Sequence, residues 1–265
     1  MHAFAFESYG VRICVESTQK RVFEKAVSVA RSAVVGQLVE IAPSMAQHTF
    51  RLAKKNGLLY MVRDGAPMRY LEETRANLTH FDSLIRFTVA EFAKGFVFIH
   101  AGVVAWRGNA LVFPAKSYGG KSTLVTELVR RGATYYSDDF AIVDEDGFVH
   151  PFPRPISRRE SNTEKAPRSI RVESFGGEVG IVPAPIRLVL FTKYKDRALW
   201  KPRNMPHGRA LLEMIPHTIP IRFNTEFSLK VLNHALSRAI IVKTLRNDVK
   251  MSVEKILGFV DKFVI

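Results

Sequence analysis

The run Phe113-Pro114-Ala115-Lys116-Ser117-Tyr118-Gly119-Gly120-Lys121-Ser122-Thr123-Leu124 leads from an apolar stretch through a glycine-bearing turn into an amphipathic pattern. Residues 110–113 are apolar and predict a strand. Beyond the run, Leu124, Val125, Leu128 and Val129 recur at helical spacing, and Gly132 stands where a helix would stop. Strand, loop and helix in that order are the setting that a phosphate-binding loop of the Walker A kind requires. The backbone N–H groups of such a loop converge on an anion, and the positive end of the helix faces the same point. In that arrangement Ser117, Tyr118, Gly119, Gly120, Lys121, Ser122 and Thr123 form the cradle for a nucleotide. Lys121 reaches the outer phosphates and the Ser122 hydroxyl holds magnesium. The first loop position is Ala115 where glycine is usual, which suits the loop only if its φ is negative.

A chain of 265 residues with 47% hydrophobic and 24% charged residues has the composition of a globular protein and can bury one large core or two smaller ones. Cys14 stands alone, so no internal disulfide forms and a cytoplasmic location is expected. Glu7, Arg12 and Glu16 interrupt any signal-peptide pattern, and the longest nearly apolar run, residues 96–106, is too short to span a bilayer. The net charge of +14 is uneven: residues 153–209 hold 13 Lys or Arg against 5 Asp or Glu, whereas residues 96–152 hold 5 against 6. That surplus directly follows the loop and favours a phosphate-bearing or acidic substrate. Net charge alone, without an aromatic-rich binding motif, does not make nucleic acid an expected partner.

Segments 3–6, 11–15, 48–53, 58–62 and 68–71 predict strands, with turns at Lys55-Asn56-Gly57 and Asp64-Gly65. Val22, Ala26, Val29 and Ala30 predict a helix between the second and third of these strands. A longer helix is expected over 78–94, where Leu78, Phe81, Ile85, Val89 and Phe92 step by three and four. A buried strand over 96–106 then turns at Arg107-Gly108-Asn109 into the strand before the loop. After the loop's helix come a short strand at Thr134-Tyr135-Tyr136, the pair Asp138-Asp139, and a strand at 141–143. Adjacent carboxylates at a strand end beside a phosphate loop can divide two tasks, one holding magnesium and the other accepting a proton. The same pair could also serve as a cap or turn. Asp144, Glu145 and Asp146-Gly147 read as an exposed hairpin turn. Residues 151–171 are too proline-rich and polar for a regular element and are expected to form a mobile loop. A strand over 187–194, a helix over 226–240, a strand over 242–245 and a closing helix marked by Val253, Ile256, Leu257, Val260 and Val264 complete the chain.

Taken together, Ile99-His100-Ala101-Gly102-Val103-Val104, the loop 115–122, Arg131-Gly132-Ala133, Ser137-Asp138-Asp139 and Pro151-Phe152-Pro153-Arg154-Pro155 resemble the HPr kinase/phosphorylase-like proteins. These belong to the group that shares a fold with phosphoenolpyruvate carboxykinase. The resemblance covers about residues 96–250. It implies an α/β fold with a P-loop-containing phosphoenolpyruvate carboxykinase-like core over 96–265, preceded by a small α+β module over 1–95. It also implies an ATP- and Mg2+-dependent transferase, a kinase that phosphorylates a hydroxyl, most naturally serine of a peptide or small protein, and a homo-oligomer. By the same resemblance Lys121 contacts the β and γ phosphates, Ser122 ligates magnesium and His100 lies near the transferred phosphate. Asp139 is the base and Asp138 supports the metal, although the two carboxylates could exchange roles. From the residues alone, His100 in an apolar strand reads equally well as a satisfied core histidine. Glu160 is a candidate metal ligand and Arg154 or Arg158 candidate charge stabilisers, unless the segment is a plain solvated loop. Residues 169–177 match the glycine-rich signature of the bifunctional enzymes poorly, so phosphorylase activity is not expected. A nucleotide-dependent peptide-binding scaffold without transfer activity and a small-molecule kinase remain the alternative readings.

Overall fold

The computed structural model describes residues 1–35, 37–55, 58–67, 74–115, 120–158 and 168–264. Backbone packing divides the chain into two units, Met1–Gly95 and Phe96–Ile265, each a mixture of helices and strands. The first contains β1 (His2–Ser8), β2 (Val11–Ser17), α1 (Lys20–Ala33), β3 (Val39–Ile41), β4 (His48–Lys55), β5 (Leu58–Arg63), β6 (Ala66–Pro67) and α2 (Thr74–Phe92). Its strands pair in the order β3-β1-β2-β4-β5-β6, and β2 with β4 is a parallel pair. Helix α1 turns Ala26, Ala30 and Ala33 inward, and α2 turns Phe81, Ile85 and Val89 inward, the steps of three and four that mark one helical face. Phe81 meets Phe50 of β4 edge-on at 5.7 Å. Asp64 and Gly65 both have positive φ, the geometry of the two-residue hairpin turn expected there. The expected turn at residues 56–57 and strand at 68–71 lie outside the described residues. Helix α2 starts four residues before its expected limits and stops two residues short of them. It stops because the Lys94 N–H donates to the Tyr9 carbonyl at 2.9 Å and Gly95 takes a positive φ.

The second unit contains β7 (Phe96–Trp106), β8 (Asn109–Pro114), α3 (Lys121–Arg130), β9 (Thr134–Ser137), β10 (Phe140–Asp144), β11 (Phe148–His150), β12 (Ile156–Arg158) and β13 (Arg168–Ile170). It continues with β14 (Ala184–Tyr194), β15 (Arg203–Asn204), α4 (His207–Met214), α5 (Thr225–Ser237), β16 (Ile240–Arg246) and α6 (Val249–Phe263). Its main sheet runs β11-β10-β7-β8-β14-β16-β15, with β9 paired to β7. Strands β8, β14 and β16 are mutually parallel, so their C-terminal ends meet one edge of the sheet. Alternation along the strands sends one set of side chains to each face. Leu111, Phe113, Leu188, Leu190 and Val242 pack with α3 and α6, while Val112, Val189, Phe191 and Ile241 pack with α4 and α5. Helix α3 ends where Gly132 was expected to stop it. The Gly132 N–H reaches the Val129 carbonyl at 2.9 Å and the Ala133 N–H the Leu128 carbonyl at 3.1 Å, a Schellman closure.

Two expectations are corrected here. Residues 151–171 are not irregular throughout: β12 and β13 form a two-stranded antiparallel ladder. The ladder holds because Ile156, 1% exposed, and Val172, 2% exposed and just past β13, anchor one end of it in the core under α3, a contribution that a count of prolines and charges overlooks. The helix expected over 226–240 ends at Ser237, and the following strand begins at Ile240 rather than 242. Ile240, Ile241 and Val242 are β-branched and pair in register with Leu188, Val189 and Leu190 of β14. Sheet pairing outweighs the helical spacing that Ala239 and Ile240 would have continued.

Gly102 of β7 lies close against α3. A Cβ there would stand 2.8 Å from Cγ2 of Val125 and 3.8 Å from Cβ of Lys121. Gly102→Ala is therefore expected to destabilise the protein by about 1–3 kcal/mol through overpacking. In urea unfolding, Val125→Ala combined with it should recover part of that loss, because the two changes share one contact. Strictly additive losses would show that the helix moves away freely.

Candidate active site

The strand before the loop and the helix after it are set by separate local causes. The β7–β8 hairpin turns on Arg107 and Gly108, both with positive φ, and aligns Ala101 opposite Pro114 at the end of β8. Ala115 is not among the residues with positive φ, so alanine fits this loop position. Gly120 caps α3 in the left-handed conformation, φ +77, and Lys121 is the first helical residue. Ser117, Tyr118 and Gly119 lie outside the described residues, as does Glu160.

Lys121 is 8% exposed, and its Nζ lies 3.0 Å from the Ala115 carbonyl and 2.8 Å from His100 Nε2. An ammonium group only donates, so His100 Nε2 accepts and the ring hydrogen resides on Nδ1. His100 lies opposite Phe140 where β7 pairs with β10, and it is half-buried. This places the histidine against Lys121 rather than in an apolar interior. Burial lowers Lys121 to about 8, and the charges of Asp139 and Asp138 pull the other way.

Across α3's first turn, the Ser122 hydroxyl donates to Asp138 Oδ2 at 2.8 Å. Asp138 is 8% exposed, and its carboxylate also accepts from the Ser157 backbone N–H. The Tyr135 hydroxyl stands 3.3 Å from Asp138 Oδ1 and 2.7 Å from the Arg154 carbonyl. Burial pushes the Asp138 carboxyl up to about 6, the Asp139 charge adds to the rise, and these hydrogen bonds hold it back. Asp139 is half-buried, with its N–H donating to Ser137 Oγ at 3.1 Å and its carbonyl accepting from the Ala101 N–H at 3.2 Å. Ser137 thus fixes the irregular step between β9 and β10, which run on in the same direction along β7, and the step turns the two carboxylates into different surroundings. Thr123 lies in the same first turn of α3, half-buried. Arg154 enters through its backbone carbonyl, and the Arg158 side chain lies outside the described residues.

Sequence reasoning missed Tyr135 and the backbone of Ser157. Tyr135 had a weak signal as an aromatic residue of a short apolar strand next to the acids, where Thr134 is half-buried and Tyr135, Tyr136 and Ser137 are buried. Ser157 had none, because its N–H becomes available only where β12 passes Asp138. A cavity of about 510 Å³ in the first unit is lined by Gln19, Lys20, Arg21, Val22, Lys25, Lys54 and Leu59, and among these described residues there is no acid.

Among the described residues, no group of three or more His, Cys, Asp or Glu forms a metal cage. Magnesium needs none: it takes one or two protein oxygens and completes its shell with water and phosphate. The hydroxyl of Ser122 and the carboxylate of Asp138, 2.8 Å apart, supply such hard oxygens on neighbouring elements and fit that ion.

The buried acid has a consequence for stability. Its folded pKa lies above the unfolded one, so between pH 3.8 and about 6 the folded protein holds more protons than the unfolded chain. Stability therefore falls as pH rises through that window, by on the order of 2 kcal/mol from this group. Urea midpoints in metal-free buffer should show the decline, and Asp138→Asn should remove it. An unchanged slope in the variant would assign the decline to other groups.

The arrangement is that of a mixed α/β protein with an acid–lysine cluster at the mouth of a strand–loop–helix turn. No family model and no curated protein matches the chain. Among solved structures it is similar to the HPr(Ser) kinase/phosphatase from Coxiella burnetii, with 11% identity and a TM-score of 0.32 over 61% of this chain and 93% of that one. No helix among the described residues is long and apolar enough to cross a membrane.

Proposed function

We propose that the protein is an ATP-dependent kinase with a phosphoenolpyruvate carboxykinase-like P-loop core over 96–265, transferring the γ-phosphoryl group to a hydroxyl, that of serine on a peptide or small protein. The observation that carries this reading is the pairing of Ser122 with Asp138 beside Lys121, with Asp139 next in the chain. A hydroxyl at a helix start, a buried carboxylate and a desolvated lysine are the parts that hold a metal-bound polyphosphate, and a second, more exposed carboxylate is free of the metal-holding task. In this reading Lys121 and the residues 117–123 bind the phosphates. Ser122 and Asp138 hold Mg2+, which when bound neutralises charge on the phosphate oxygens. Asp139 accepts the proton of the attacking hydroxyl, and His100 keeps Lys121 aimed.

Little covalent work falls to the protein in phosphoryl transfer. Placing the hydroxyl in line and compensating charge account for most of the rate. The basic surplus over 153–209 suits an acidic acceptor. Residues 1–95 are proposed as an accessory α+β module.

The test is incubation with γ-labelled ATP, Mg2+ and peptides recovered with the protein from its cells. Label on a serine supports the kinase. Nucleotide binding without label on any peptide would leave a nucleotide-dependent scaffold, and label on a small metabolite a small-molecule kinase.

A further inference from the structure

The parallel register brings two distant residues to the edge where the loop begins. Tyr194 closes β14 and Arg246 closes β16, opposite one another. β14 runs parallel to β8 and β16 parallel to β14, so both run on past the level of Pro114 and end on the side of the sheet where the loop begins. Alternation places Tyr194 on the same face as Leu188 and Leu190, and Arg246 on that of Val242, the face covered by α3 and α6. Arg246 Nη2 donates to the Gly120 carbonyl at 3.2 Å. The centre of the same guanidinium lies 5.9 Å from the centroid of the Tyr194 ring, within cation–π range. Arg246 is 5% exposed, whereas Tyr194 is 60% exposed. The absence of a side chain at residue 120 makes this possible, because a Cβ there would stand 2.1 Å from Arg246 Nη2. Loop, buried guanidinium and open aromatic ring therefore follow one another outward from the start of α3.

We propose that Tyr194 is the platform on which the nucleotide's base stacks, with Arg246 as the positioning residue that ties the ring to the phosphate loop. The proposal rests on the nucleotide reading above. Ligands of open sheets with parallel strands settle outside the carboxyl ends of those strands, where this ring lies. A solvent-facing aromatic ring held by a buried cation presents a π-face at little entropic cost. Stacking on such a face does not depend on the base's hydrogen-bond pattern, so tolerance toward adenine and guanine nucleotides is expected. The ribose and the inner phosphate would pass over the guanidinium.

The experiment compares Mg·ATP with inorganic tripolyphosphate by calorimetry. The wild type should bind ATP more tightly than tripolyphosphate. Tyr194→Ala should weaken ATP binding by roughly ten- to a hundredfold and leave tripolyphosphate binding unchanged, while Tyr194→Phe retains the preference. Equal effects of Tyr194→Ala on both ligands, or no effect on either, would overturn the platform while leaving phosphate binding in place. A raised KM for the acceptor peptide with unchanged ATP affinity would likewise overturn it and assign the ring to the acceptor. A wild type that binds neither ligand would refute the nucleotide reading itself, and the platform with it.

Discussion

Replacing Lys121 with alanine is expected to weaken Mg·ATP binding by on the order of a hundredfold, as loss of a charge-assisted contact in a desolvated place would. Label transfer should become undetectable. The lysine is the first residue of α3, it is 8% exposed, and it follows a left-handed glycine, so its stem has little freedom to point elsewhere. Its partners in the fold, the Ala115 carbonyl and His100 Nε2, are neutral acceptors that a phosphate oxygen outcompetes. The pH dependence gives an independent signature. Burial lowers this ammonium to about 8, whereas a phosphate beside it would raise it again. Below about 8 the lysine is charged with or without nucleotide, so affinity should be flat. Above it, binding must recharge the lysine, and affinity should fall by up to about tenfold per pH unit. Lys121→Arg, charged throughout, should show no such break, whatever its absolute affinity. Calorimetry from pH 6.5 to 9.5 reads both effects, and an alanine variant that binds like the wild type would remove the lysine from the site.

Local patterns made part of this arrangement legible. The α3 face, its glycine stop and the short strands around Asp138-Asp139 all depend on residues within a few positions of one another, and the fold follows them closely. That Ser122 and one of the two acids share the metal-holding task was suggested by their place beside the loop, but the spacing also allowed a cap or turn, and only the resemblance assigned that task to Asp138. The Tyr194–Arg246–Gly120 chain was not legible, because it depends on how β14 and β16 align in parallel and no local pattern encodes that register. The same limit explains the overrun of the helix at 237–240 and the missed ladder of β12 with β13. In both places a tertiary partner, β14 in one and the core under α3 in the other, decides against the local preference. Helix α4 was missed for a related reason: its eight residues show one fully buried position in the first turns, Ala210, too few for a period to emerge.

Asp139→Asn is expected to leave Mg·ATP affinity unchanged and to lower the transfer rate by about 10²–10⁴-fold, the range that a positioned general base supplies. The two neighbouring acids have unlike surroundings, and that difference makes separate roles physically reasonable. Asp138 is enclosed, with Ser122, Tyr135 and the Ser157 N–H directed at its oxygens, and burial favours its protonated form unless a cation stands beside it. Such a carboxylate is suited to holding charge in place. Asp139 is half-buried, its backbone is held by Ser137 and Ala101, and it acts electrostatically on Lys121. A carboxylate so placed can meet an incoming hydroxyl, whereas one sealed behind a serine and a tyrosine cannot without opening the site. Asparagine keeps the size and the backbone bonds of Asp139 but cannot accept the proton. Single-turnover transfer measured at saturating ATP should therefore fall while the calorimetric Kd does not. Asp138→Asn should behave oppositely in binding, losing affinity for Mg·ATP more than for metal-free nucleotide. If Asp139→Asn turns over normally and Asp138→Asn binds normally but fails to transfer, the base is Asp138 and the two roles are reversed.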